Sequence, residues 1–282
     1  MEKKDIKPID ISGFYSFSNL PDPPSADEFS IFKRKVESLI QLDLTNYKNT
    51  QMERRIASFM HRNNISNLND YYNLLKNDPK HLTDFKNMLT INVTEFFRNP
   101  EKFDELEKVY IPELLSKSNG IKVWSSGCSI GAEIYSMAMI LDKMGVINKC
   151  TLIASDFDET AIEKAKNAVY NRAELKSMAE KYNGYFSDIP TEPEKVQFSK
   201  ALASKVIFKK QDLLKSQFET GFDLIFCRNV VIYFTDEAKD SLYKKYYESL
   251  KVGGILFIGS TERINGYKEM GYKLRTSFFY QK

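Results

Sequence analysis

The chain has 282 residues, of which 42% are hydrophobic and 28% charged, with 41 lysines and arginines against 38 acidic residues. This composition is typical of a globular protein with one large or two ordinary domains and excludes a disordered chain. Because the chain has only three cysteines and two histidines, a disulfide scaffold, a zinc site and a histidine-based triad are not expected, and we predict no metal.

The N-terminal region and the hydropathy of the chain indicate where the protein acts. No apolar run reaches the roughly 18 residues that a membrane-spanning helix needs, and the first residues lack the apolar core of a secretory signal. We therefore expect a cytoplasmic protein without membrane insertion. Residues 1–24 contain four prolines and no periodic stretch, which predicts an irregular leader.

Residues 25–90 predict a small all-helical N-terminal domain. Ser25 and Glu28 have the spacing of a capping box, and apolar residues follow them at helical intervals. Thr50 and Glu53 repeat this pattern, and two shorter helices follow before residue 90.

After residue 90 the pattern changes. Residues 91–118 are predicted to form a linker and a connecting helix, and residues 119–282 an α/β domain. Apolar strands that alternate with amphipathic helices predict a mostly parallel sheet covered on both faces. The predicted strands are residues 121–124, 150–154, 206–208, 222–227 and 255–259.

Two parts of this domain depart from the alternation. The last two strand segments, 254–260 and 276–281, leave no room for a helix between them, so an antiparallel closing pair is predicted. Residues 182–205 look like short strands and turns inserted in the domain, a plausible surface for a partner or substrate.

Two features near the first strands could bind a ligand. The turn Gly127-Cys128-Ser129-Ile130-Gly131 joins a strand to a helix, where glycines allow close backbone approach and the helix N-terminus offers free N–H groups. It does not match the dinucleotide pattern G-x-G-x-x-G, and an ordinary tight turn is the alternative. Asp156 ends the next strand, where an acid can accept hydrogen bonds from ribose hydroxyls. A helix N-cap is the alternative, and Asp158 suits that role better.

Two further segments carry polar residues. The strand at 222–227 ends in Arg228-Asn229, which lie between apolar stretches, so hydrogen-bond partners are expected for both. The segment Asn92-Val93-Thr94-Glu95-Phe96-Phe97-Arg98 joins the helical and α/β parts, and in isolation it is best interpreted as a linker with a helix cap.

Together, the segments NVTEFFR, WSSGCSIGAEIYSMA, ASDFDETAIEKA and FDLIFCRNVVIYF, in this order, resemble the chemotaxis receptor methyltransferase (CheR) family. The resemblance implies a class I, Rossmann-like S-adenosylmethionine-dependent methyltransferase with an all-α N-terminal domain and a β-subdomain insertion. It implies that glutamate side chains on chemoreceptor signalling helices are converted to methyl esters, with S-adenosylhomocysteine as the product. In some members the β-subdomain docks a receptor's C-terminal peptide.

The resemblance also implies a set of site residues. Carried over position by position, and with Gly127 of the turn included, the expected cofactor contacts are Asn92, Thr94, Arg98, Gly127, Glu133, Asp156, Asp212, Leu213, Asn229 and Val230. Ala132 and Ile134 depart from the family's usual Gly-Glu-Glu-Pro pattern in the turn, whereas Glu133, the acid expected at the cofactor, is kept. The segment Ser260-Thr261-Glu262 matches the family's Gly-His-Ser-Glu only loosely.

The implied reaction agrees with the scarcity of histidine. The side-chain carboxyl of a free glutamate ionises with a pKa of about 4.3, so the carboxylate is a nucleophile at pH 7 and needs no general base. Catalysis would then come mainly from in-line positioning. As hypotheses, Arg98 orients a carboxylate and Tyr233 crowds or hydrogen-bonds near the sulfonium.

Charge patterning suggests how a substrate is recognised. Residues 30–63 hold seven basic residues against three acidic ones, which suits Glu-rich receptor helices, and Arg54, Arg55 and Arg62 are the predicted substrate contacts. A solvated helix face is the alternative. Nucleic acid is not an expected partner, because the pI is near 8.5 and the bases are not interleaved with an aromatic platform.

Two other functional classes stay open at this point. The chain could methylate another protein or a small molecule, or it could be a cofactor-binding regulatory module. We expect the protein to be a monomer.

Overall fold

The computed structural model describes residues 25–89 and 94–282. The predicted leader, residues 1–24, lies outside the described residues. The chain divides into two compact units, a helical unit that ends at Phe85 and an α/β unit that extends from Lys86 to Lys282 and includes the short segment Asn46–Lys48. No helix in the described ranges is both long enough and apolar enough to cross a membrane.

The N-terminal helices form where capping residues and apolar periodicity predict them. Their bounds are α1 Ala26–Ile40, α2 Asn49–Arg62, α3 Leu68–Asn77 and α4 Pro79–Leu89. The Ser25 capping box is confirmed, since Ser25 Oγ accepts the Glu28 N–H at 3.3 Å and the Glu28 carboxylate accepts the Ser25 N–H at 2.9 Å. The Thr50 side chain is outside the described part, but α2 begins at Asn49, so Thr50 lies within the helix and the prediction of Thr50 as its N-cap is wrong.

The helical unit is held together by an aromatic core. Tyr71 and Phe85 are fully buried, and Phe32 is 2% exposed. The Phe32 and Tyr71 rings stack with centroids 5.6 Å apart, and Phe85 meets Tyr71 edge-on at the same centroid distance. Aromatic pairs of this kind contribute about 0.5–1.5 kcal/mol beyond their buried area, so they fix how the helices pack.

The connecting helix is interrupted. It runs as α5 Pro100–Glu105, a π-helical turn Leu106–Tyr110 and α6 Ile111–Leu115. Pro112 has no N–H to give to the preceding turn, and a π-turn is one way for a helix to accommodate that loss.

The α/β unit contains a seven-stranded sheet and a three-stranded sheet. The strands of the large sheet are β1 Lys122–Ser126, β2 Thr151–Asp156, β6 Val206–Lys210, β7 Phe222–Cys227, β8 Leu250–Ile258, β9 Lys273–Thr276 and β10 Phe279–Gln281. Those of the small sheet are β3 Val169–Asn171, β4 Phe186–Asp188 and β5 Lys195–Phe198. The helices of this unit are α7 Ala132–Lys143, α8 Glu159–Asn167, α9 Lys200–Ala203 and α10 Asp236–Ser249.

The large sheet has the order β6-β2-β1-β7-β8-β10-β9. The first five strands in this order are parallel, and β10 pairs antiparallel with β8. The predicted parallel sheet and its antiparallel closing pair are therefore confirmed. Alternate residues of β7 enter two cores on opposite faces, Leu224 and Phe226 in one, Ile225 and Cys227 in the other.

The small sheet has the order β3-β5-β4 and starts earlier than the predicted insertion, because β3 precedes residue 182. A strand of three residues is too short to show a period of two in the sequence. The end of the interval predicted as strands and turns contains the short helix α9.

Strand order determines where a ligand can lie. From β1 the chain moves to β2 and β6 on one side, then returns to β7 and β8 on the other side. The crevice beyond the carboxyl ends of β1 and β7 is therefore the topological switch point, where open α/β sheets bind ligands. The residues that follow these two strands are Gly127 and Arg228, and we call this the ligand edge of the sheet.

Candidate active site

The turn after β1 is built for close backbone packing. Gly127 has φ +74°, and a Cβ atom placed on it would lie 2.5 Å from Val230 Cγ2. The Gly127 and Cys128 N–H groups both donate to the Ser155 carbonyl, at 2.8 and 2.9 Å. The hydroxyl of Ser129 is buried and has no hydrogen-bond partner among the described residues. Glycine at 127 thus lets two predicted cofactor contacts, Gly127 and Val230, approach each other.

Asp156 ends β2 and fastens the same turn. Its Oδ2 accepts the Ser129 N–H at 2.7 Å, and its Oδ1 accepts the Asp158 N–H at 2.9 Å. Burial raises the pKa of Asp156, and these backbone donors oppose the rise. Each carboxylate oxygen has a second lone pair, so the side chain can still accept hydroxyl groups from a ligand. Asp158 caps α8, as its sequence position predicts, with its Oδ1 accepting the Thr160 N–H at 2.9 Å.

Glu133, in the first turn of α7, meets Arg228 at the end of β7. The Arg228 guanidinium lies 3.5 Å from Glu133 Oε2, and Ser125 Oγ donates to Glu133 Oε1 at 2.7 Å. Burial raises the pKa of the Glu133 carboxyl, and the positive charge of Arg228 opposes this rise. The Glu133 side chain keeps 14% exposure, so it is accessible at the edge of the crevice.

Arg228 is 8% exposed and binds the segment before α5. Its Nη2 donates to the Arg98 carbonyl at 2.9 Å and to Asn99 Oδ1 at 2.7 Å. Its guanidinium also lies 4.4 Å from the centroid of the Phe257 ring, a cation–π contact. The expectation that Arg228 needs partners is confirmed.

Asn229 occupies a left-handed conformation, φ +60°, and its side-chain oxygen accepts a hydrogen bond from Arg98 Nη1 at 3.0 Å. Phe97 and Asn99 are also left-handed, with φ +51° and +62°. Non-glycine residues in this region are uncommon and cost free energy, so surrounding contacts must hold them there. Arg98 therefore lies in a segment whose backbone is fixed on both sides.

The small sheet supplies some of those contacts. Phe96 packs edge-on against Tyr170 and Phe186, with ring centroids 4.8 and 5.1 Å apart. Phe97 stacks on Tyr182 at 4.4 Å, and its N–H donates to Ser136 Oγ at 2.9 Å. Phe96 is thus anchored by β3 and β4 of the small sheet, and Phe97 by the 3-10 helix Glu180–Tyr185 and by α7.

The structure brings several predicted residues together and leaves others apart. Arg98, Glu133 and Asn229 are joined through Arg228 or directly, Gly127 meets Val230, and Asp156 ties the glycine turn. Thr94 precedes the aromatic pair and is half-buried. Tyr233 is half-buried at the end of the 3-10 turn Val231–Tyr233. Asn92 lies outside the described residues.

Asp212 and Leu213 follow β6, on the far side of β2 from β1. Asp212 Oδ1 accepts the Leu214 N–H at 2.9 Å and closes a local turn. Leu213 is 7% exposed and belongs to the core on the α10 face of the sheet. Because the Leu213 side chain is buried in the core, the cofactor contact predicted there would be made by its backbone. The contacts predicted at Asp212 and Leu213 both stay predictions.

The three predicted substrate arginines lie on α2 of the helical unit. Arg54 and Arg62 are exposed, whereas Arg55 is half-buried. One of the seven basic residues counted in the sequence is buried, since Lys33 is 9% exposed and donates to Asn49 Oδ1 at 2.8 Å. The exposed positive charge of this unit is therefore smaller than the sequence count indicates.

Three residues of the ligand edge were not among the predicted cofactor, substrate or catalytic residues. They are Ser129, Arg228 and Glu262. Arg228 had a signal, since a charged residue between two apolar stretches must be paired. Glu262 had only its place in a loosely matching motif after Gly259.

Residues 92–279 match the family model described as CheR methyltransferase, SAM binding domain, and residues 27–90 match the one described as CheR methyltransferase, all-alpha domain. The chain belongs to the CheR methyltransferase family. It is 36% identical over 261 residues to a chemotaxis protein methyltransferase of Listeria monocytogenes serovar 1/2a, an alignment that covers 92% of this chain and 99% of the relative. A chemotaxis protein methyltransferase of Borreliella burgdorferi is 30% identical over 269 residues, 89% of this chain and 93% of the relative.

Similarity to solved structures is weaker. Phosphoethanolamine N-methyltransferase 1 of Haemonchus contortus aligns with 57% of this chain and 28% of its own length, at 16% identity and a TM-score of 0.30. That similarity is too low to support an inference. The family match is sufficient: the protein is an S-adenosylmethionine-dependent methyltransferase of chemotaxis, as its motifs predict, and S-adenosylmethionine is its cofactor.

The residues of the ligand edge fit this cofactor. Asp156 and Glu133 are half-buried acceptors suited to hydroxyl and ammonium groups, and the Ser129 hydroxyl is buried without a partner in the described part of the chain. Arg98 is a cation suited to a carboxylate. When bound, the cofactor supplies a methyl group on a positively charged sulfur.

Proposed function

We propose that this methyltransferase esterifies glutamate side chains on the signalling helices of chemoreceptors. The observation that carries the proposal is a cofactor site with fixed polar groups and, among the described residues, no histidine at the ligand edge. Both histidines, His61 and His81, lie on α2 and α4. An ionised carboxylate is a side-chain nucleophile that needs no base at pH 7.

In this proposal the protein accelerates the reaction by positioning. Arg98 orients a carboxylate, held by Asn229 at its guanidinium and by Arg228 at its carbonyl. Tyr233 lies at the end of the turn that follows Asn229 and directly before the buried Phe234, and its carbonyl accepts the Lys48 N–H at 2.8 Å. In this proposal Tyr233 would crowd or hydrogen-bond near the sulfonium of the cofactor when it is bound. In-line alignment of nucleophile, methyl group and leaving sulfur is worth several kcal/mol.

The helical unit is proposed to recognise the substrate. Arg54 and Arg62 are exposed on α2, and receptor helices that carry several glutamates present complementary negative charge. Such steering raises the association rate and weakens with salt. Because its substrate helices would be cytoplasmic, we place the enzyme in the cytoplasm, acting as a monomer.

The small sheet is proposed as the docking surface for a receptor's C-terminal peptide. Its outer strands are β3 and β4. An edge strand presents unpaired backbone groups that an extended peptide can join as an added strand. Titration of the protein into a fluorescent peptide that ends in the receptor's C-terminal residues would measure the affinity of this docking.

The test is tritiated methyl transfer from S-adenosylmethionine to a purified receptor signalling fragment. Wild type should label the fragment, and mild base should release the label as methanol, because methyl esters are base-labile and methylated amines are not. Arg98→Ala should lower the rate at least about tenfold if Arg98 positions a reacting group. Undiminished methylation would remove Arg98 from the mechanism.

Substrate recognition needs a matched control. The double variant Arg54→Glu, Arg55→Glu should bind the fragment more weakly at low salt, whereas Lys76→Glu, Lys80→Glu makes the same change of charge on the exposed parts of α3 and α4. Equal binding by both double variants would contradict the role of α2. Tight S-adenosylhomocysteine binding without turnover on any receptor would instead favour a regulatory module, and base-stable label would favour another acceptor.

A further inference from the structure

Glu262 is a buried carboxylate at the ligand edge, and its hydrogen-bond partners are backbone N–H groups. It is 8% exposed. Its Oε2 accepts the N–H groups of Gly259, at 2.6 Å, and Asn229, at 3.0 Å, and its Oε1 accepts the N–H of Val231 at 3.1 Å. One side chain therefore holds the chain after β7 and the chain after β8 at once.

The backbone that Glu262 binds has no regular partner. After β7 the chain leaves the sheet with Asn229 in the left-handed region and enters a 3-10 turn at Val231. Buried N–H groups in such a loop cost about 1–3 kcal/mol each when unpaired. A charged acceptor makes shorter and stronger hydrogen bonds than a neutral one, so a carboxylate is well suited to hold these donors.

Gly259 shows how closely the carboxylate is packed. A Cβ atom at this position would lie 2.6 Å from Glu262 Oε2 and 2.9 Å from the Asn229 nitrogen. Any side chain at 259 would push the carboxylate away from Asn229. Glycine is therefore required here by the hydrogen bonds themselves.

We propose that Glu262 is a positioning residue for methyl transfer. By holding the backbone from Asn229 to Val231, it keeps the Asn229 side chain on Arg98 and places the turn that ends at Tyr233. It touches neither reacting group and acts through the loop. The inference rests on the proposed roles of Arg98, Asn229 and Tyr233.

The chemistry of the side chain distinguishes this role from space filling. Both oxygens of Glu262 accept from N–H groups, so a glutamine at 262 has nearly the same shape but turns an NH2 group toward one or two of those donors. The loop would then lose hydrogen bonds without gaining a cavity. We therefore expect Glu262→Gln to weaken ligand binding more than it disturbs the packing of the core.

The experiment compares Glu262→Gln and Gly259→Ala with Glu113→Gln, a control that lies in α6 and is bound to Arg275, away from the ligand edge. All proteins are assayed well below their midpoints of unfolding. We expect both ligand-edge variants to bind S-adenosylhomocysteine about tenfold more weakly, with a fall in kcat of about tenfold or more, since hydrogen bonds to a charged group are lost. The control should lose stability and keep both quantities.

The possible outcomes distinguish a failure of the role proposed for Glu262 from a failure of the proposed substrate. Wild-type affinity and kcat in either folded ligand-edge variant would overturn it, as would an equal loss in the Glu113 control. If Glu262→Gln does not fold, Gly259→Ala decides, because it moves the carboxylate but keeps its charge. If wild type methylates no receptor, the proposed substrate fails, and the binding data still test Glu262.

Discussion

The carboxyl groups at the ligand edge and those at the opposite side of the sheet have pKa values shifted in opposite directions. Glu262 is buried, Asp156 and Glu133 are half-buried, and burial raises the pKa of each. Glu113, on α6 beside β9 and β10, has Arg275 as its main partner. Arg275 Nη2 donates to it at 2.9 Å and, with Lys117 and Gln281 contributing, lowers its pKa to about 2.

The difference shows which free energy dominates in each region. At the ligand edge the desolvation of each carboxylate outweighs the stabilisation from neighbouring donors, so ionisation of these carboxyls destabilises the ligand-free fold. At Glu113 the charged form is favoured by folding. A raised carboxyl pKa gives stability that is lost as pH rises, whereas the stability from Glu113 is lost as pH falls below its ordinary value of 4.5 toward about 2.

The largest effect expected is on ligand binding by Asp156→Asn. Affinity for S-adenosylhomocysteine should fall about a hundredfold or more, because hydrogen bonds from hydroxyls to a charged acceptor are worth about 1.5–3 kcal/mol each. The ligand-free midpoint of unfolding should change little, since removal of a desolvated charge offsets the weakened contact with the Ser129 N–H. Calorimetry measures the affinity and thermal melts measure the midpoint of unfolding. An affinity within threefold of wild type would contradict the role of Asp156 in ligand binding.

The next effect is steric, at Gly127. Gly127→Ala should destabilise the protein by about 1–3 kcal/mol and weaken binding, because its Cβ meets Val230 in a left-handed conformation. Gly145→Ala is a matched control, with φ +71° and no atom within 4 Å of the added Cβ. It should cost about 1 kcal/mol and leave binding unchanged. A second change, Val230→Ala, should recover part of the stability of Gly127→Ala, and no recovery would contradict the clash.

A smaller effect is expected at the far edge. Glu113→Gln should lower the free energy of unfolding by about 1 kcal/mol at pH 7, because the carboxylate is partly exposed and solvent screens its pairing. The difference from wild type should shrink as pH falls from 4.5 toward about 2, where wild type also loses the charge. Denaturant titrations at pH 7 and pH 3 measure it. A difference that grows at pH 3 would reverse the assigned sign.

The smallest effect is expected where a pair is fully at the surface. Lys166 and Glu163 are 2.8 Å apart on α8, with 49% and 64% exposed side chains. Glu163→Gln should change stability by less than about 0.5 kcal/mol. A change as large as that of Glu113→Gln would mean that burial does not separate the two pairs.

Much of this architecture could be predicted from the chain. Capping residues and apolar spacing located the N-terminal helices, and buried strands with small-residue turns located the parallel sheet and the glycine turn. The strands that escaped prediction, β3 and β9, are short, and β9 is exposed at all four positions. Without a buried face such a strand has no hydrophobic signal.

Local patterns in the chain predict the alternation of strands and helices, the ordered set of motifs and the family, because these depend on local periodicity and on residues near one another in the chain. The folded structure was needed to show that Glu262 binds the loop after β7, that Arg228 joins Arg98 to Glu133, and that Lys33 is buried. Those contacts form between segments up to 130 residues apart. They depend on the order of the strands in the sheet and on how far each charge is desolvated. A local sequence pattern predicts neither.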